Sequence, residues 1–233
     1  MKKSILALAI VAVSTVSFAA DKLVSEEDKL SYAIGSDIGK NFKRQGISIN
    51  PKVLQQGMQD SLEGKPSAMT EQEMKETVQN FQKKMMMKRM ADMQKQAELN
   101  KKEGEDFLAK NKSKPGVKTT QSGLQYKVLE KGTGASPKSD DMVTVEYTGR
   151  LINGTVFDST EKTGKPVKFN VGGVIKGWTE ALQMMKPGGK WEVYIPSDLA
   201  YGSRQAGGPI GPNQTLIFEI KLLSVDKKDT KES

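Results

Sequence analysis

The sequence predicts an α+β fold, on three observations. Apolar and polar residues alternate with a period of two over residues 143–148, 191–195 and 216–222. A short apolar helix, residues 177–185, stands between the first two of these strands. Ahead of them, from Ser25 to about Asn111, the pattern is helical. The expected architecture is a bent antiparallel sheet wrapped over a short helix, joined by a long helix to an all-α N-terminal region.

Taken in order, the chain of 233 residues opens on an export signal. Lys2 and Lys3 precede an apolar run from Ile5 to Val16, and Ser17-Phe18-Ala19-Ala20 supplies a small-residue cleavage site after Ala19 or Ala20. That run is shorter than the ~20 residues a membrane span needs, and no other segment could cross a bilayer. The chain contains no cysteine and no histidine. Disulfides and a lipid-bearing cysteine after the signal are therefore excluded, so membrane association is peripheral at most. The commonest nucleophiles, bases and zinc ligands are excluded with them, and no metal or cofactor is expected. Net charge is +8, two units of which leave with Lys2 and Lys3, a weak argument for an anionic partner. Lys83, Lys84, Lys88 and Arg89 have no interleaved aromatics for base stacking, and no nucleic-acid partner is expected.

Three helices can be read from their caps. Ser25 with Asp28 resembles a capping box, followed by the apolar stripe Leu30, Ile34, Ile38 and Phe42. Gly35 and Gly39 lie on a neighbouring face, where another backbone could approach. Asn50-Pro51 opens a second helix carrying Val53, Leu54, Met58 and Leu62, and Gly64 stops it. Two helices of ~40 residues bury too little surface alone, so their stripes call for a second copy of the chain and a two-fold dimer. Folding back onto the C-terminal domain is the alternative.

Thr70 with Glu73 opens the third helix. Met74, Val78, Phe81 and Met85 recur on one packed face. Met85, Met86, Met87, Met90 and Met93 read as packing at the root of this arm, with a cradle for unfolded clients as the alternative. Beyond Met93 the helix is mostly polar, as in a solvated spacer, with Gly104 as a soft point. A helix of ~40 residues would be ~60 Å long. Lys114-Pro115-Gly116 ends it.

In the C-terminal half, Val143, Val145 and Tyr147 alternate with Thr144, Glu146 and Thr148. Asn153-Gly154 suits a tight type I′ hairpin. Trp178, Ala181, Leu182 and Met185 share a helical face, which Pro187-Gly188-Gly189 closes. Trp191, Val193 and Ile195 form a strand broken by Pro196. Leu216, Phe218, Ile220 and Leu222 form the last, opposite Glu219 and Lys221.

At VTVEYTGRLINGTVFDST, VIKGWTEAL and AYGSRQAGGPIGPNQTLIFEIKLL the chain resembles the FKBP-type peptidyl-prolyl cis-trans isomerases. With its Met-rich helical N-terminal half, it resembles in particular the bacterial macrophage infectivity potentiator family. The resemblance implies a pocket walled by Tyr147, Phe157, Trp178 and Phe218, with Trp178 under the prolyl ring. It implies that Val174 and Ile175 form an edge, the Ile175 backbone N–H bonding a substrate carbonyl. Tyr201 would donate its hydroxyl, Asp158 would lie beside the reacting amide and Ile210 would sit on an overhanging loop; Asp158, Tyr201 and Phe157 are the expected catalytic residues. Val167 replaces the second phenylalanine of the best-known members, and the segment after Phe169 is shorter, with Gly173 near the place of an acidic rim residue. Taken singly, Trp178 and Phe218 could be ordinary core and Asp158 a turn residue. Their joint spacing carries the reading.

The resemblance also implies dimerisation through Leu30, Ile34, Gly35, Ile38, Gly39, Phe42 and Met58, proline-containing clients, and FK506- or rapamycin-type inhibitors. It implies residence in the periplasm, outer membrane or cell surface of a Gram-negative bacterium, and a virulence role. The expected organisation is signal 1–20, dimerisation region 21–69, connecting helix 70–113, isomerase domain 114–225 and charged tail 226–233. A proline-docking adhesin and a holdase chaperone are the alternatives in function.

Overall fold

The computed structural model describes residues 23–204 and 206–227; the expected export signal and most of the charged tail lie outside them. The chain divides into two compact units, the first ending at Glu76 and the second beginning at Thr77.

The first unit contains α1 (Glu26–Arg44), α2 (Pro51–Leu62) and the start of α3 (Glu71–Asn111). Each helix begins where a side chain satisfies its orphan donors. The Asp28 N–H donates to Ser25 Oγ (3.0 Å) and the Ser25 N–H donates back to Asp28 (3.2 Å). The Asn50 side chain accepts from Lys52 and Val53 ahead of Pro51, and Thr70 and Glu73 form a second reciprocal box. Gly64, at φ +65°, follows the end of α2. Neither α1 nor α2 buries a residue: Leu30 is 61 % and Ile34 50 % exposed. On α3 the face bearing Met74, Val78 and Phe81 is also open, as are Met86, Met87, Met90 and Met93. The packing expected for these methionines is therefore not made among the described residues, where they stand exposed.

The second unit is a seven-stranded antiparallel sheet over one helix, α4 (Lys176–Met184). Its strands are β1 (Val117–Thr119), β2 (Gln125–Glu130), β3 (Met142–Leu151), β4 (Val156–Ser159), β5 (Val167–Asn170), β6 (Lys190–Ile195) and β7 (Leu216–Asp226). The order is β1-β2-β6-β7-β3-β4, with β5 also pairing to β3. One edge of β3 is thus shared, its first half taken by β5 and its second by β4. Alternation gives the burial: Val143, Val145, Val193, Ile220 and Leu222 are fully buried in a core shared with Leu182 of α4. α4 approaches β6 through Gly177, where a Cβ would stand 2.5 Å from Ile195. Only a residue without a side chain allows that spacing.

Two sequence expectations are corrected. The hairpin after β3 is not type I′: Gly154 has φ +87°, but Asn153 does not enter the positive-φ region. Asn153 Oδ1 instead accepts from the Thr155 N–H (3.0 Å), and the Gly154 N–H donates to the Leu151 carbonyl, giving a longer turn with glycine last.

The end of α3 is likewise no solvated spacer. Asn100, Gly104 and Asn111 are buried against the second unit's own sheet and loops. Asn100 Nδ2 donates to the Pro212 carbonyl, Asn111 Nδ2 to Gln125 Oε1, and Gln125 Nε2 to the Leu108 carbonyl. Phe107 packs on Tyr194 at 6.0 Å. This seam is made of amides and a glycine, so hydrophobic periodicity does not register it.

Gly104 is the tightest point of the seam, for a Cβ there would collide with Thr215 Oγ1. Gly104→Ala should therefore destabilise the second unit by about 1–3 kcal/mol through overpacking, against the ~1 kcal/mol that alanine gains in an open helix. Urea denaturation checks the sign, and adding Thr215→Ala should recover much of the loss.

Candidate functional site

β3, β4, β5, α4 and β7 each send a ring to one hollow of about 510 Å³. Trp178, only 4 % exposed, is its centre. Three rings meet it nearly edge-on: Tyr147 at 5.1 Å and 89°, Phe218 at 5.3 Å and 88°, and Phe169 at 5.7 Å and 80°. Phe157 meets Phe218 at 5.5 Å and 82°. Edge-to-face contacts bring the positive edge of one ring to the negative face of another, so the cluster is rigid and its exposed surface apolar.

Val174 and Ile175 form one rim, where the chain turns into α4; the Ile175 carbonyl accepts from the Trp178 and Thr179 N–H groups. Asp158 and Tyr201 also line the hollow. The Tyr147 hydroxyl donates to Asp158 Oδ2 at 2.6 Å, and the Ser159 N–H donates to Asp158 Oδ1 at 2.9 Å. Both carboxylate oxygens are thereby held. Burial first, and then the bond to Asp158, push the Tyr147 hydroxyl well above the usual phenol range. It remains a protonated donor wherever the fold survives.

Eight of the nine residues expected in the pocket converge here. Ile210 does not line the hollow: the tight turn between Gly207 and Ile210 leaves its side chain buried with the core. Phe169 is a wall the sequence reading did not assign, although it lies two residues from Val167 on the same face of β5. Gly149 was missed as well. A Cβ on it would stand 2.6 Å from Phe157 and 2.7 Å from Phe218, so its absence is what lets both rings reach the hollow. A glycine inside a strand is the signal that could have found it.

In the first unit, Ile34, Gly35, Ile38, Gly39, Phe42 and Met58 line an open groove of about 620 Å³, and nothing stands within 4 Å of where a Cβ of Gly35 or Gly39 would lie. Leu30 is exposed beside it. Among the described residues, no helix is long and apolar enough to cross a membrane.

Ring walls, one oriented carboxylate and hydroxyl donors suit chemistry that rearranges a bound chain and breaks no covalent bond. Residues 134–223 match the profile of the FKBP-type peptidyl-prolyl cis-trans isomerases, and residues 27–128 match the domain amino-terminal to it. The chain is 58 % identical to the outer membrane protein MIP of Legionella longbeachae, over 97 % of this chain and 99 % of that one. It is 50 % identical to the peptidyl-prolyl cis-trans isomerase Mip of Coxiella burnetii, over 92 % and 93 %. The crystal structure of FkpA from Escherichia coli superimposes with a TM-score of 0.70 at 38 % identity, covering 87 % of this chain and 97 % of that one.

The protein is thus an enzyme of the rotamase class. It belongs to the FKBP-type peptidyl-prolyl cis-trans isomerase family, and its helical N-terminal half is that of the Mip-like branch.

The sequence lacks histidine and cysteine, the side chains that ordinarily titrate nearest neutrality, and the Tyr147 phenol is shifted upward. The kcat/KM for a prolyl peptide should be flat from about pH 6 to about pH 9. A bell-shaped profile in that window would require an acid or base in the rate-limiting step.

Proposed function

We propose that the hollow seats the proline of exported or surface polypeptides, with Trp178 beneath the prolyl ring. The Ile175 N–H and the Tyr201 hydroxyl bond carbonyls on either side, and Asp158 lies beside the rotating amide. Rotation about X-Pro crosses a barrier of ~20 kcal/mol because it breaks amide resonance. The planar amide separates charge between oxygen and nitrogen, and the twisted form carries less. An apolar hollow disfavours the planar form relative to the twisted one, and each 1.36 kcal/mol of that difference is tenfold in rate. No nucleophile or cofactor enters the cycle. FK506- and rapamycin-type macrolides should compete for the same rings.

The observation that carries this reading is the convergence of rings from five elements on one cavity whose single carboxylate is oriented by Tyr147. We read the first unit as the dimerisation element: apolar α1 and α2 faces without a buried residue call for a second copy, and the groove at Gly35 and Gly39 offers close backbone approach. Export through residues 1–20 gives access to periplasmic and surface clients. The Legionella relative's name adds support for an outer-membrane setting.

Asp158→Ala in the intact chain should lower kcat/KM on an Ala-Pro tetrapeptide at least tenfold while leaving the thermal midpoint within a few degrees. Unchanged turnover would instead favour a proline-docking module.

Ile38→Asp should shift the sedimentation mass from dimer to monomer without changing tetrapeptide turnover. Refolding of a proline-limited protein client should slow. A wild-type chain that sediments as a monomer at micromolar concentration would remove the dimer reading.

A further inference from the structure

The polar seam on α3 ends at the loop that bounds the hollow. We propose that Asn100 is a positioning residue of the isomerase site, holding residues 201–213 and through them Tyr201. Asn100 is 4 % exposed, and its Nδ2 donates to the Pro212 carbonyl at 2.7 Å. Gln96 Nε2 donates to Asn100 Oδ1 at 2.8 Å, which fixes the amide so that its donor faces the loop. A Cβ on the neighbouring Gly211 would lie 3.2 Å from Asn100 Nδ2, a tight contact that would press on the amide.

A second tie runs the other way. Asn213 Nδ2 donates to the Ala97 carbonyl at 3.3 Å. Asn213 is also the one non-glycine residue, among those described, with positive φ (+55°). In that conformation its N–H reaches the Gly202 carbonyl at 2.7 Å and closes the base of the loop beside Tyr201. Apart from an isolated bridge between Gly207 and Ile210, the described residues between Gly202 and Asn213 pair with no strand. A glycine-rich loop without sheet pairing takes its shape from the few bonds at its base. Beside the backbone bonds from Asn213 to Gly202 and from Gly202 to Ser197, the side-chain ties at that base run to α3, so the connecting helix belongs to the scaffold of the active site.

This inference rests on reading Tyr201 as a substrate-facing hydroxyl. That hydroxyl bonds a carbonyl present in the ground state as well as in the twisted state, so its misplacement should weaken binding more than turnover. The test uses the full chain and an Ala-Pro tetrapeptide. Asn100→Asp keeps size and shape but removes the donor and faces the Pro212 carbonyl with a carboxylate. Its KM should rise about three- to tenfold, the scale of one or two net hydrogen bonds, with kcat within about twofold. Asn213→Gly keeps the backbone conformation and removes only the tie to Ala97; it should raise KM in the same direction and guards against a folding defect in the first variant. Wild-type KM in both variants, even with a lowered melting temperature, overturns the proposal. Tyr201→Phe separates the two readings. If it leaves KM unchanged while Asn100→Asp raises it, the loop is positioned by α3 but the hydroxyl role of Tyr201 falls.

Discussion

Everything in the second unit depends on how closely α4 can lie against the sheet. Gly177 brings the first turn of the helix against Ile195, and the next residue is Trp178. At that depth the indole is sealed from below by the core and met from the sides by Tyr147, Phe169 and Phe218. A helix held further out would leave the indole a loose floor and the three rings without a common centre. Gly149 makes the matching concession on β3, giving Phe157 and Phe218 the space that a side chain would occupy. The hollow is therefore a product of two missing side chains as much as of the aromatic ones.

Against that tightly packed unit stand two kinds of helix surface. α1, α2 and the first half of α3 carry apolar stripes that are exposed among the described residues. The second half of α3 is mostly polar, and the residues it buries are two amides and a glycine, Asn100, Asn111 and Gly104. Hydrophobicity alone would have assigned these the other way round. The difference is geometric: a glycine lets the helix axis approach, and at that range Asn100 and Asn111 replace water by specific acceptors. Each such bond contributes only about 1 kcal/mol net, but leaving its partner buried and unpaired would cost more. A seam of this kind is selective for one register in a way that a greasy stripe is not.

Legibility in the sequence follows the range of the forces involved. Helix starts were readable at Ser25, Asn50 and Thr70 because a cap is settled within four residues. The long strands β3, β6 and β7 were readable because each keeps one face in the core over six residues or more. β1 and β2 were not: β1 has three residues, and β2 is placed by the stacking of Tyr126 on Trp191 at 4.5 Å, a contact between distant parts of the chain. The candidate site came from a pattern of residues matched to a family, and that pattern reaches the rings. It reaches Ile210 on its loop, which does not line the hollow, and it passed over Phe169, whose neighbour Val167 drew attention to the same strand.

An isomerase of this kind uses no reactive group, and that changes what its scaffold must do. An enzyme with a strong nucleophile tolerates some slack, because much of its advantage is chemical. On the proposed mechanism, the whole advantage is a difference in how well one rigid hollow surrounds two rotational states of the same bond. Such a difference is lost when a wall moves by a fraction of an ångström, and displacements that start far from the bond count as much as changes within the hollow. That is a physical reason for ring packing this dense around Trp178, for a carboxylate fixed through both oxygens, and for a connecting helix that grips the loop beside Tyr201. The rim contributes in the opposite sense, since Gly173 brings no side chain to it beside Val174 and Ile175.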